Sequence, residues 1–116
     1  VDDHAGIGTV LRTVFERSEH FSFLGHAHSG DTAIRMVKLM QPHLVLMDLH
    51  MRPMNGIETT KRLRSLFPSL QIVGFSDAPY KYEERQMVDA GALAVISKNL
   101  SPQNILAALL EMQVPV

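Results

Sequence analysis

The chain contains no cysteine. Disulfide cross-links, thiolate metal centres and cysteine nucleophiles are therefore excluded, and a reducing compartment is compatible with the composition. An excess of charge of either sign is also lacking, because 11 Lys and Arg stand against 12 Asp and Glu for a formal net charge of -1. The whole-molecule field gives no reason to expect nucleic acid or an acidic membrane as a direct partner; such contact would need a local patch. Long apolar runs are missing too. Leu44-Val45-Leu46-Met47 is far shorter than the roughly 20 residues that a membrane-spanning helix needs, and no signal-peptide pattern opens the chain. No repeat or low-complexity tract interrupts it, so a single cytoplasmic domain is the expectation.

What is present is a globular balance: 46% hydrophobic and 20% charged over 116 residues, sufficient for one core. The hydrophobic period switches repeatedly between helix and strand. Ile7, Val10, Leu11, Val14 and Phe15 form one helical stripe, predicting a helix over about residues 5 to 18. Phe21 to Ala27 reads as a short strand. Ser29-Gly30-Asp31 leads into a second helix with the stripe Ala33, Met36, Val37 and Met40, stopped before Pro42 because the residue before proline disfavours the α region. His43 to Asp48 is apolar on both faces, as a strand between two helical layers would be.

Asn55 and Glu58 form a capping-box-like start to a third helix that continues through Leu63, Leu66 and Phe67 to Pro68. Gln71 to Phe75 is a strand, Pro79 fits the first turn of a helix reaching Ala90, and Gly91 suits a left-handed cap. Ala92 to Ser97 is a strand. Ser101 and Pro102 open a last helix with Ile105, Leu109 and Met112 on one face. Strands separated by helix-length crossovers predict a doubly wound parallel α/β sheet with helices on both faces. Its first helix is preceded only by Val1-Asp2-Asp3, which suggests that Val1 ends a strand beginning upstream.

In such sheets the ligand crevice lies outside the carboxyl ends of the strands. The residues there are Asp2, Asp3, Asp48, Ser76, Asp77 and Lys98. Bringing three of these carboxylates together raises like-charge repulsion that a hard divalent cation, Mg²⁺ by preference, would relieve. The set suits phosphoryl transfer, with one carboxylate as nucleophile and with Lys98, Ser76 and a metal taking the phosphoryl oxygens.

Asp2-Asp3-His4, the segment Leu44-Val45-Leu46-Met47-Asp48-Leu49-His50-Met51, the turn Met54-Asn55-Gly56, Ser76 after a strand, Gly91-Ala92 and Lys98 together resemble a bacterial response-regulator receiver domain. The opening Val-Asp-Asp-His is most similar to the NarL/FixJ subfamily, whose receivers precede a helix-turn-helix DNA-binding domain. The resemblance covers essentially all of residues 1–116. It implies a flavodoxin-like five-stranded sheet of order 2-1-3-4-5 with five helices, its first strand truncated here. It further implies that Asp48 is the phosphoacceptor and that Asp2, Asp3, Asp48 and the backbone carbonyl of His50 hold Mg²⁺ or Mn²⁺. Ser76 and Lys98 become the switch hydroxyl and the phosphate-sensing cation. The implied partners are a sensor histidine kinase, a second copy on activation, and DNA only through an output domain outside this sequence; no membrane is implied.

The chain departs from the family pattern at four places. Arg52 follows Met51, so proline comes one place late at Pro53; Val95 takes the usual aromatic switch position; Asn99 replaces a common proline after the lysine; and Asp77 stands where a small residue is usual. An inward Asp77 would repel a phosphoryl group. Two other readings compete. A degenerate receiver would act only as an interaction module, and a haloacid-dehalogenase-type phosphohydrolase would need an acid where His50 stands. His50 is expected beside the acceptor as a gatekeeper to water. His26 and His28 are expected on one face of a strand, without a third ligand at convincing spacing for zinc. Arg12, Arg17, Lys61, Arg62 and Arg64 are expected on exposed helix faces.

Overall fold

The apolar segment before Asp48 forms strand β1, Leu44–Asp48, which pairs in parallel with β2, Gln71–Ser76, setting Val45 opposite Ile72 and Asp48 opposite Phe75. β2 pairs in parallel with β3, Ala94–Ser97, with Ser76 opposite Ser97, so the order is β1-β2-β3. The computed structural model describes residues 1–77 and 81–112. Pro79, predicted in a first helical turn, and the tail from Gln113 lie outside the described residues. Five helices accompany the sheet: α1, Ala5–Glu16; α2, Gly30–Met40; α3, Gly56–Leu66; α4, Lys81–Ala90; and α5, Pro102–Met112.

Local chemistry explains the helix boundaries. Asn55 caps α3 by accepting from the Glu58 backbone N–H at 2.9 Å, while the Glu58 carboxylate pairs with Arg62 at 3.5 Å. Ser29 accepts from Thr32 at 3.2 Å to cap α2, and Ser101 accepts from Asn104 at 3.2 Å at the start of α5. Gly91 follows α4 with φ +126°, a conformation that disfavours any side chain. α1 stops at Glu16, two residues short of the predicted end. There the Arg17 and Ser18 N–H groups turn to Val14 and Phe15, three residues back, which tightens the last turn and closes the helix.

Because strand side chains alternate, the sheet builds a core on each face. Val45, Met47 and Ile72 pack with Val37, Leu63 and Met87 from α2, α3 and α4. Val73, Phe75 and Ile96 pack with Leu11 and Phe15 of α1 and with Ile105 and Leu109 of α5. This is the expected doubly wound arrangement, and it aims the carboxyl ends of the strands to one edge.

Of the five expected strands, three pair into the sheet among the described residues. Phe21 to Ala27 forms no ladder. Among the described residues its backbone meets a neighbouring backbone only at its end, where the Asp2 N–H donates to the Ala27 carbonyl at 3.0 Å. On the other side Val1 bonds β1, donating to the Leu46 carbonyl at 2.6 Å and accepting from Asp48 N–H at 2.9 Å. Val1-Asp2 thus bridges β1 and Ala27 for two residues, too few to make a ladder. Before that bridge a cavity of about 650 Å³, lined by Leu11, Phe15, Phe23, Leu44 and Leu46, separates the segment from β1. A strand needs a partner for its N–H and C=O groups, and side-chain alternation does not supply one. Phe21 and Phe23 instead hold the segment through their rings, 5.6 and 6.4 Å from that of Phe15. The strand predicted from Gln71 starts there, and the other two start one and two residues late, at Leu44 and Ala94.

Candidate functional site

Asp48 ends β1, Ser76 ends β2 and Lys98 directly follows β3, so the ladder itself brings these three positions to one edge. Val1-Asp2 joins them because its backbone continues the pairing beside β1. Gly56 brings the loop after β1 close to Asp48: its N–H donates to the Leu49 carbonyl at 3.0 Å, and a Cβ there would lie 1.9 Å from the Asp48 carbonyl oxygen. Only glycine fits that approach.

Lys98 Nζ lies 2.6 Å from Asp2 Oδ2 and 3.2 Å from Asp48 Oδ1. All three side chains are buried, so these are strong, little-screened pairs. One ammonium thus serves two carboxylates. Asp48 Oδ1 also accepts from the His50 backbone N–H at 3.2 Å, whereas Asp48 Oδ2 is buried without a hydrogen-bond partner among the described residues. Ser76 is buried at the edge, and its carbonyl accepts from Lys98 N–H at 2.9 Å.

The two buried acids are displaced in opposite directions. Burial pushes the Asp48 carboxyl up, the Asp2 charge adds to the rise, and the bonds from His50 and Lys98 only partly oppose it. Burial also works on Asp2, but hydrogen bonds from Lys98 and from the backbone and ring of His4 outweigh it and hold Asp2 below the ordinary carboxylate range. Burial opposes the charge on Lys98, yet its bond to Asp2 and the charges of Asp48 and Asp2 hold the amine above its usual value.

Asp3 is partly exposed, with its Oδ1 3.1 Å from His4 Nδ1. Asp2, Asp3, His4 and Asp48 can each turn one ligand atom toward a common point, all within 4.8 Å of one another. The donor set is rich in carboxylate oxygen and includes the unpartnered Asp48 oxygen, so it fits a hard divalent cation. His4 was absent from the expected set; only its adjacency to the acidic pair hinted at it. His26 and His28 stack at 4.3 Å but belong to no metal-ligating group among the described residues, and the ring of His26 bonds the Asp2 carbonyl at 2.7 Å.

The departures from the family pattern also find places. Arg52–Pro53 is a cis peptide bond. Asp77 is exposed and its carbonyl accepts from Asn99 Nδ2 at 2.9 Å. His50 reaches Glu83 of α4, Nε2 to Oε2 3.0 Å, a link that no sequence signal foretold. Arg64, expected on an exposed face, is half-buried and donates to the Pro68 and Gly91 carbonyls at 2.7 and 2.8 Å, tying α3 to the end of α4.

A doubly wound parallel fold with two acids, an acceptor-like aspartate and a lysine at its strand ends defines a CheY-like receiver fold. The response regulator receiver domain profile matches residues 1–110, and the chain belongs to that family. It is similar to the nitrate/nitrite response regulator protein NarL of Escherichia coli K12, 30% identical over 109 residues, which are 94% of this chain and 50% of that protein. It is also similar to the transcriptional activator protein ExaE of Pseudomonas putida, 35% identical over 109 residues, 94% of this chain and 51% of that one. These relatives support the NarL/FixJ subfamily. The chain spans about half the length of the curated relatives it matches. Among solved structures, the CheX-CheY-BeF3-Mg complex from Borrelia burgdorferi aligns with a TM-score of 0.89 at 22% identity, over 98% of this chain and 86% of that one. A receiver is a signalling domain of two-component systems, not a metabolic enzyme. Among the described residues no helix is long and apolar enough to cross a membrane.

Proposed function

We propose that this domain accepts a phosphoryl group on Asp48 from a sensor histidine kinase and uses it to switch an output. The observation that carries this reading is the sharing of Lys98 between Asp2 and Asp48, beside a buried Asp48 oxygen without a hydrogen-bond partner among the described residues. That oxygen is free to attack phosphorus. An O–P bond forms as the donor's bond to phosphorus breaks, leaving an acyl phosphate. Lys98, already charged and within reach of Asp48, pairs with one phosphoryl oxygen, and the hydroxyl of Ser76 donates to another. Asp2, Asp3, Asp48 and the backbone carbonyl of His50 would hold Mg²⁺ or Mn²⁺, which offsets the charge of the phosphoryl group.

The likeness to the transcriptional activator protein ExaE supports a transcription regulator as the output; that the protein is cytoplasmic, binds DNA through an output domain and engages a second receiver on activation is our reading from the receiver resemblance. The test is intact mass after incubation with Mg²⁺ and a small acyl-phosphate donor. The parent gains one phosphoryl mass and Asp48→Asn gains none. Equal labelling of Asp48→Asn overturns the assignment.

A further inference from the structure

The site contains one group that the receiver reading leaves unused. His4 occupies the N-cap position of α1, yet its side chain makes no cap hydrogen bond. The ring turns back onto the acidic pair instead. Its Nδ1 lies 3.0 Å from Asp2 Oδ1 and 3.1 Å from Asp3 Oδ1. Two ligand atoms at neighbouring corners of an octahedral ion, with bonds of about 2.1 Å, stand about 3.0 Å apart. The ring nitrogen already stands at that separation from each of the two carboxylate oxygens. A second observation points to a ligand independently: Asp48 belongs to the same cluster, and its Oδ2, in a side chain only 3% exposed, has no hydrogen-bond partner among the described residues.

We propose that His4 is a nitrogen ligand of the cation site, which makes the site a mixed oxygen and nitrogen centre that favours a borderline transition-metal ion over Mg²⁺. The inference rests on the receiver reading for the existence of the cation site. Carboxylate and carbonyl oxygens suit Mg²⁺ and Mn²⁺, whereas imidazole raises affinity along the series from Mn²⁺ through Co²⁺ and Ni²⁺. Because the ring is exposed, it can turn without disturbing either core. The bland competitor is an ion pair in which a charged His4 ring occupies the cation's place, and it predicts the opposite response to removal of the ring.

The experiment titrates the 116-residue chain and its His4→Ala and His4→Gln variants separately with Mg²⁺ and Co²⁺ by calorimetry, following the visible absorption of Co²⁺ in parallel. The expected result is that both variants lose at least about tenfold in Co²⁺ affinity while their Mg²⁺ affinity changes by less than about threefold. The cobalt spectrum should shift as a nitrogen ligand is lost. An unchanged ratio of Co²⁺ to Mg²⁺ affinity overturns the proposal, as does tighter binding of both ions in the variants, the signature of the ion pair. Mg²⁺-dependent labelling of Asp48 is measured on the same samples. Normal labelling with an unchanged ratio overturns the nitrogen ligand alone. Failure to label the parent while the His4-dependent cobalt preference persists overturns the phosphoacceptor reading alone.

Discussion

Replacing Lys98 by methionine keeps most of the side-chain length and removes a cation that faces two buried carboxylates. At an effective dielectric of about 20, its contacts at 2.6 and 3.2 Å correspond to attractions of about 6 and about 5 kcal/mol, from which the cost of desolvating the ammonium must be subtracted. Loss of one partner from a buried pair costs about 3 to 5 kcal/mol. Here the loss has a ceiling, because a stranded carboxylate can take up a proton. For an ordinary carboxyl near pKa ~3.9 that costs about 4 kcal/mol at pH 7 and about 1.5 kcal/mol at pH 5. Lys98→Met should therefore lose about 3 to 4 kcal/mol at pH 7 and no more than about 2 kcal/mol at pH 5. Unfolding entropy for 116 residues is about 0.24 kcal/mol/K, so the neutral-pH loss lowers the melting midpoint by about 12 °C or more.

The sign follows from the shifts. Lys98 is held above its usual value in the fold, so its contribution is fully present below its unfolded pKa and changes little between pH 5 and 7. Asp2 is held low and contributes above its unfolded pKa, until pH falls through its folded value. Without the lysine, Asp2 loses the strongest group holding it low. The variant's deficit then grows as pH rises from 5 to 7. Urea denaturation in EDTA at the two pH values measures it. A deficit below about 1 kcal/mol at pH 7, or one equal at both pH values, refutes the buried shared-lysine reasoning.

Two further outcomes follow from the same site. Asp48 is displaced upward, first by burial and then by the Asp2 charge, so its ionised form costs stability at neutral pH. Asp48→Asn should raise the melting midpoint in EDTA by about 4 °C, or about 1 kcal/mol, as relief of a destabilised functional group does; a lower midpoint contradicts the direction of that shift. Gly56→Ala drives a methyl group to within 1.9 Å of the Asp48 carbonyl oxygen and 2.9 Å of the Leu49 Cα, both backbone atoms with little room to give. Thermal unfolding should show a loss of at least about 2 kcal/mol, near 8 °C, whereas an unchanged midpoint means the loop yields freely.

Much of the scaffold was legible because short-range chemistry specifies it. Ser29, Asn55 and Ser101 cap helices through their own side chains, and Gly91 takes the positive φ its position requires. The apolar runs at Leu44–Asp48 and Gln71–Ser76 form paired strands, and their ends gather Asp48, Ser76 and Lys98. Phe21 to Ala27 was misread for a physical reason: alternation encodes which face is apolar, not whether a backbone partner lies alongside. His4, Glu83 and Arg64 were beyond the sequence for another reason. Each acts through the direction of a long or exposed side chain toward a distant element or an adjacent charge, and no local period reports that direction. Arg64 bonds the Gly91 carbonyl 27 residues away.

The near-zero net charge conceals a local conflict that would power the proposed switch. Lys98 sits closer to Asp2 than to Asp48, 2.6 against 3.2 Å, and the two carboxyls are displaced in opposite directions. Asp2 is thus the settled anion, and Asp48 the one whose charge the fold tolerates least. Under the proposed phosphorylation the Asp48 carboxylate becomes an acyl phosphate, a mixed anhydride: its own charge is lost, and about two negative charges sit farther out on the phosphoryl oxygens. Lys98 is drawn after them and Asp2 loses its partner, so only a metal or the His4 ring remains to neutralise that acid. The movement of Lys98 does not stay local. Its N–H bonds the Ser76 carbonyl at 2.9 Å, and Asn99 bonds the Asp77 carbonyl at 2.9 Å, so the ends of β2 and β3 are tied on either side of the lysine. A displacement of Lys98 would therefore pull on Ser76 and Asp77 at the end of β2. The His50 to Glu83 contact ties α4 from the opposite side, through the loop after Asp48. The contact that reaches α4 directly is the one from His50, beside the acceptor, so under the proposed phosphorylation α4 is the helix expected to feel a charge gained at Asp48.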